Sequence, residues 1–134
     1  MRHFTKEISI STPNEDFIDI TNTVNKTIRE SGIREGHCTV FCPHTTAGIT
    51  VNENADPDVI SDMLFALDKT FPDYPEFRHF EGNSPAHLKS STVGCNQTFI
   101  IYKGQLLLGI WQGIYFSEFD GPRNRNYIIS IIGK

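Results

Sequence analysis

The chain has 134 residues, 38% of them hydrophobic and 21% charged, with a formal net charge of −4. That composition suits one globular domain, residues 1–134, and excludes both default disorder and two independent cores. Residues 1–81 carry 7 basic and 14 acidic side chains, and residues 82–134 carry 5 and 2; a basic surface that coats nucleic acid is excluded, while a local anion site in the C-terminal part is not.

The weak alternation from Phe4 to Ile10 predicts a strand. Thr12-Pro13-Asn14-Glu15 reads as a helix start, with Thr12 as cap, Pro13 in the first turn and Glu15 closing a capping box. Phe17, Ile20, Val24 and Ile28 then mark one helical face, and Ser31-Gly32 ends it. Cys38–Cys42 and Gly48–Asn52 predict two strands of a first hairpin joined by the turn Pro43–Ala47. Asp56-Pro57-Asp58 opens a second helix, whose apolar stripe is Val59, Met63, Leu64 and Leu67 and whose end is Phe71-Pro72. Residues Asp73–Lys89 show little periodicity and read as a long ordered loop. Strands are predicted over Gln97–Tyr102, Gln105–Trp111, Ile114–Phe119 and Tyr127–Ile132. The whole predicts an α+β fold: a mainly antiparallel sheet or sandwich with two helices.

No apolar run reaches the ~18 residues of a membrane span, and no signal-peptide core opens the chain. A cytoplasmic protein with neither a membrane nor a nucleic-acid partner is expected. The three cysteines, Cys38, Cys42 and Cys95, are too few and too odd in number for a disulfide framework. Cys38 and Cys42 share one face of a strand and read as core thiols rather than zinc ligands.

Four polar clusters lie at strand ends or in predicted loops. They are Pro43-His44-Thr45-Thr46 with Asn52-Glu53-Asn54, His79 with Glu81-Gly82-Asn83, Pro85-Ala86-His87, and Glu118 to Arg125. A catalytic metal site uses three ligands and leaves one position open. His44, His79 and His87 supply three if the long loop folds over the first hairpin, although nothing in their spacing forces it and loop histidines need no metal. Asp56 and Asp58 have work at a helix start; Glu53 has none and is the better candidate for a base or ligand. Arg123 and Arg125, two apart on a strand, share a face from which two guanidiniums grip a phosphate or carboxylate. The bland alternative is a pair of surface arginines balanced by Glu118 and Asp120. Thr45, Thr46 and Ser84 offer hydroxyls to the same anion. No phosphate-binding glycine loop, dinucleotide fingerprint or nucleophile elbow is present.

These clusters, with Gly104-Gln105-Leu106, Leu108-Gly109, Trp111-Gln112-Gly113-Ile114 and Ala86-His87-Leu88-Lys89, stand in an order and at intervals that resemble the YjbQ-like family. That family also carries the label of secondary thiamine-phosphate synthase. The resemblance spans essentially the whole chain. It implies a compact α+β fold, a homotrimer with a polar pocket near a subunit boundary, and functional weight on His44, Glu53, His79, His87 and Arg123. Two readings follow. In the first, the chain is an enzyme acting on a phosphorylated or anionic metabolite, with thiamine-phosphate synthase as a side activity. A thiazole phosphate would attack a pyrimidine-methyl diphosphate, Arg123 and Arg125 would hold the leaving group, and His44, Glu53 and His87 would serve as acid, base or ligand. A divalent metal, zinc or magnesium, on His44, His79 and His87 belongs to this reading, and Asn83 and Gln112 join the anion-binding set. In the second, the same residues bind a metal or an anionic metabolite without chemistry.

Overall fold

The computed structural model describes residues 1–134. In chain order the elements are β1 (Arg2–Thr12), β2 (Asp16–Asp19), α1 (Thr21–Ser31), β3 (Gly36–Phe41), β4 (Ala47–Glu53) and α2 (Pro57–Thr70), then α3 (Ser84–Val93), β5 (Asn96–Tyr102), β6 (Gln105–Leu106), β7 (Gln112–Glu118) and β8 (Arg123–Gly133). The α+β class stands, with three helices rather than two. The strands form two antiparallel sheets, ordered β1-β8-β3-β5-β6 and β2-β7-β4.

The expected first hairpin does not form: β3 pairs with β5 and β8, whereas β4 pairs with β7. The Cys42–Thr46 turn therefore crosses from one sheet to the other. Alternation along β8 sends Tyr127, Ile129 and Ile131 inward, where they meet Cys38 and Val40 of β3 and Phe99 and Ile101 of β5. Ile49, Ile114 and Phe116 of the smaller sheet close the same core, and α1 adds Val24 and Ile28, both fully buried. Each such aliphatic side chain contributes about 1.5–3 kcal/mol on leaving water. The other face of the smaller sheet carries Phe17 and Tyr115. With Phe119 and Ala86, these pack under Ile60, Met63, Leu64 and Leu67 of α2. The result is three layers: large sheet with α1, small sheet, then α2 and α3.

The N-terminal helix begins eight residues later than the capping pattern predicts. Thr12 does not cap it; its hydroxyl donates to Glu118 Oε1 at 2.5 Å and accepts the Arg123 amide at 3.1 Å. Phe17 and Ile18 lie in β2, paired to β7, and Asp19 Oδ1 accepts the Thr21 amide at 2.9 Å at the true start. The predicted end holds: Gly32 sits at φ 70°, a left-handed cap that favours glycine. The second helix is as expected, with Asp56 Oδ1 accepting the Asp58 amide at 2.9 Å. Two further corrections concern the C-terminal half. The long loop yields α3, whose buried face is Ala86, Lys89 and Ser90. The strand expected over Gln105–Trp111 stops at Leu106. No helix is long and apolar enough to cross a membrane.

Candidate functional site

The turn between the sheets, the start of β8 and the N-terminal end of α3 meet at one place. There they enclose a pocket of about 270 Å³, lined by Pro43, His44, Thr45, Thr46, Glu81, Asn83, His87, Arg123 and Arg125. A larger hollow of about 480 Å³ runs over Ser9–Ser11 and Asn124–Asn126. Its one ionisable residue is Arg125, whose guanidinium is turned to Glu118, so that hollow lacks acid–base groups.

His44 is fixed by the large sheet. Its Nε2 lies 3.0 Å from the Asn126 carbonyl oxygen and 3.1 Å from the Asn126 amide nitrogen, and its ring stands edge-on to Phe116. Nδ1, which makes no hydrogen bond within the chain, is the nitrogen left for a ligand. His87 lies on the first turns of α3 and reaches the same pocket. His79 does not line it, but its ring stacks edge-to-face on His87 with centroids 5.1 Å apart.

Both arginines line the pocket, but neither fork is free. Arg125 Nε and Nη2 donate to Glu118 Oε1 and Oε2 at 2.8 and 2.6 Å, and Nη2 also donates to Thr46 Oγ1 at 2.8 Å. Glu118 is 0% exposed. Its remaining lone pairs accept Thr12 Oγ1 and the Asp120 amide. Burial pushes the Glu118 carboxyl up; Arg125, Thr12 and the Asp120 amide outweigh that and hold it below the usual carboxylate range. Arg123 donates through Nε to the Asp120 carbonyl and through Nη2 to Asp120 Oδ2, at 2.7 and 2.9 Å. The same Oδ2 accepts Asn83 Nδ2 at 2.7 Å. Burial raises the Asp120 carboxyl, while Asn83 and Arg123 bring it net below its ordinary value. Because Nδ2 faces a carboxylate, the amide flip is fixed, and Asn83 Oδ1 is left buried with no partner.

Two candidates lie elsewhere. Ala47 faces Glu118 at the pocket end of β4, whereas Glu53 faces Gln112 at its other end. Six residues of strand put about 20 Å between those ends. Glu53 also has local work that the sequence reading did not see: its Oε2 accepts the Asp56 amide at 3.2 Å. Gln112 Oε1 accepts the Gly109 amide at 2.8 Å. Conversely, Glu118, Asp120 and Glu81 matter more than sequence reasoning allowed.

No group of three or more His, Cys, Asp or Glu side chains is disposed to hold a metal ion. Two imidazoles on one tetrahedral zinc, with Zn–N of ~2 Å, have centroids roughly 5 Å apart, and the His79–His87 pair meets that spacing. His44 does not complete a triad with them inside one chain. The cysteines add no ligand. Cys38 and Cys42 are buried, and burial pushes their thiols up to about 12 and about 11.

The family described as UPF0047 protein YjbQ-like matches residues 6–134. YugU, a UPF0047 protein of Bacillus subtilis, is 54% identical over 92% of this chain and 94% of its own length. A solved YjbQ/UPF0047-family structure from Clostridium acetobutylicum superposes with a TM-score of 0.92 at 58% identity, covering 95% of this chain and 99% of that one. A YbjQ-like protein of unknown function from Sulfolobus solfataricus gives 0.94 at 31% identity over 99% of both chains. Matched along nearly its whole length in sequence and in fold, the chain belongs to the YjbQ/UPF0047 family.

Proposed function

We propose that the chain is an enzyme acting on a small anionic metabolite, with His44 and His87 as the acid–base groups. One observation carries this reading: a pocket lined by no hydrophobic residue that draws two histidines, two arginines and a hydroxyl turn from three separate elements. Arg125 Nη1 and the Thr45 hydroxyl are unused inside the chain and supply donors for the anion. The positive end of α3 adds to them. His87 and His44, both lining the pocket, can offer a proton donor and a proton acceptor to one ligand.

The size of the pocket bears on the substrate. About 270 Å³ lies just below the range of typical small-molecule sites and suits one small ligand better than a thiazole phosphate and a pyrimidine diphosphate together. Thiamine-phosphate synthesis is therefore proposed only as a side activity. It would need room contributed by the neighbouring subunit of a cytoplasmic homotrimer. The far-end residues Glu53 and Gln112 enter the site only by the same route.

A second reading, a metal- or anion-binding protein without chemistry, is favoured by the His79–His87 pair. Those two residues would supply two ligands to a divalent ion, zinc by its preference for imidazole, and the remaining ligands would come from outside this chain.

The test is a metabolite turnover screen with the untagged protein, alongside its metal content by mass spectrometry, repeated for His44→Ala and His87→Ala. The enzyme reading expects turnover of a small anionic substrate that falls by about 10²–10⁴ in each variant. Ligand binding with no turnover of any compound overturns it in favour of the second reading. One ion per chain, lost in His87→Ala, would identify that binder as a metal site.

A further inference from the structure

Resting on the reading of the pocket as an anion site, we propose that it selects ligands carrying a single negative charge and discriminates against phosphate dianions and diphosphates. The cations of the pocket are each matched before any ligand arrives. Arg125 is held by fully buried Glu118 through two hydrogen bonds, and Arg123 by Asp120. Glu81 places a third carboxylate on the pocket wall. Two guanidiniums therefore face three carboxylates, and these five groups sum to −1. A dianion meets net repulsion there, in a site where charges are only partly screened.

The guanidinium contacts agree with the charge count. Arg125 bonds Glu118 and Thr46 through Nε and Nη2 only, and Arg123 bonds Asp120 through Nε and Nη2, so each keeps only Nη1 for a ligand. With the Thr45 hydroxyl and the two histidines these donors can hold one anionic group, but each guanidinium among them is already paired with a carboxylate. The fork that would grip phosphate bidentately is occupied by Glu118. The inference thus narrows the substrate class to small carboxylates and other monoanions, and it argues against a diphosphate as the native ligand.

The test is a titration followed by amide NMR shifts of Thr45, Thr46 and Asn83, at about pH 8, where phosphate is largely a dianion. Lactate and inorganic phosphate are the two probes, at matched ionic strength. Wild type is expected to bind lactate at least as tightly as phosphate. Glu81→Gln, on an exposed residue, and Asp120→Asn each remove one negative charge. Each is expected to shift the affinity ratio towards phosphate by about tenfold. Phosphate binding tenfold tighter than lactate in wild type, or a ratio unmoved in both variants, would overturn the inference while leaving the anion site intact. If neither probe moves the pocket amides, the anion-site reading itself fails.

Discussion

Arg125 and Arg123 stand two residues apart on the same strand, and the structure gives them opposite energetic roles. The Arg125 and Glu118 side chains are 6% and 0% exposed. Replacing Arg125 with Leu leaves a carboxylate in the interior with only Thr12 and the Asp120 amide as partners. Removing one member of a buried pair costs about 3–5 kcal/mol, a large share of the ~5–15 kcal/mol that holds a domain folded. At a slope of about 2 kcal/mol per molar urea, the midpoint should fall by about 2 M. The Arg123 and Asp120 side chains are 45% and 29% exposed. Arg123→Leu should shift the midpoint little or not at all, because water replaces the lost partner. Both variants must be compared at one protein concentration, since subunit association would stabilise the folded state by mass action.

The pH dependence separates this explanation from simple packing loss. In wild type the Glu118 carboxyl is held below its ordinary value. Its contribution is full above the unfolded-state carboxylate range and is lost as pH falls through the folded value. In Arg125→Leu, burial is no longer opposed by the guanidinium, and the carboxyl rises above the unfolded value. The penalty is then full at neutral pH and is relieved as the group protonates. The stability gap between the two proteins should therefore narrow from pH 7 to pH 4. A Glu118→Leu/Arg125→Met pair should recover most of the loss, though not the acceptor that Thr12 and the Asp120 amide lose. Equal losses for Arg123→Leu and Arg125→Leu, or a gap that widens on acidification, would refute the reasoning.

Three other outcomes follow from single contacts. A Cβ on Gly121 would lie 1.7 Å from the Pro13 carbonyl oxygen, so Gly121→Ala should lower stability by about 1–3 kcal/mol in urea and shift the pocket amides in NMR spectra. Lys89 is buried on α3 and bridges Glu15 and Asp68; both partners keep some access to water, so Lys89→Met should cost about 1–3 kcal/mol, with hydrogen exchange quickening first along α3. Of the three thiols, exposed Cys95 should react with a maleimide in the native protein, whereas Cys38 and Cys42, buried and held largely as thiols, should react only on unfolding, as counted by mass spectrometry.

Elements whose buried face is apolar were readable from the sequence. The stripe Val59, Met63, Leu64 and Leu67, with Asp56 and Pro57 ahead of it, located α2. The strands read over Gln97–Tyr102 and Tyr127–Ile132 fall within β5 and β8, although β8 starts earlier, at Arg123. α3 was hidden because the face it buries, Ala86, Lys89 and Ser90, contains two polar residues and leaves no hydrophobic period, although Asn83-Ser84-Pro85 offered a start signal. The early helix start failed because Phe17 falls in helical step with Ile20, Val24 and Ile28, yet β7 claims it as a strand partner. A tertiary pairing overrode a local period there. The sheet assignment of β3 and β4 failed similarly: a short turn between two strands normally makes a hairpin, and here it carries the chain between layers.

The candidate site divides along the same line. His44, Thr45, Thr46, Asn83, His87, Arg123 and Arg125 converge because each lies at an element end on one side of the molecule. Glu53 and Gln112 also lie at element ends, but on the other side, and spacing alone cannot tell those sides apart. The charge on Arg125 was legible and was misassigned. It shares its side of β8 with Tyr127, Ile129 and Ile131, so period-two reasoning already turns it inward. A guanidinium turned inward needs a carboxylate, and Glu118, on a strand buried along nearly its whole length, is the one that the fold delivers. Once that pair is recognised as structural, the phosphate clamp inferred from two neighbouring arginines loses its bidentate fork. What remains is a smaller donor set around two histidines, and the ligand must be matched to that set.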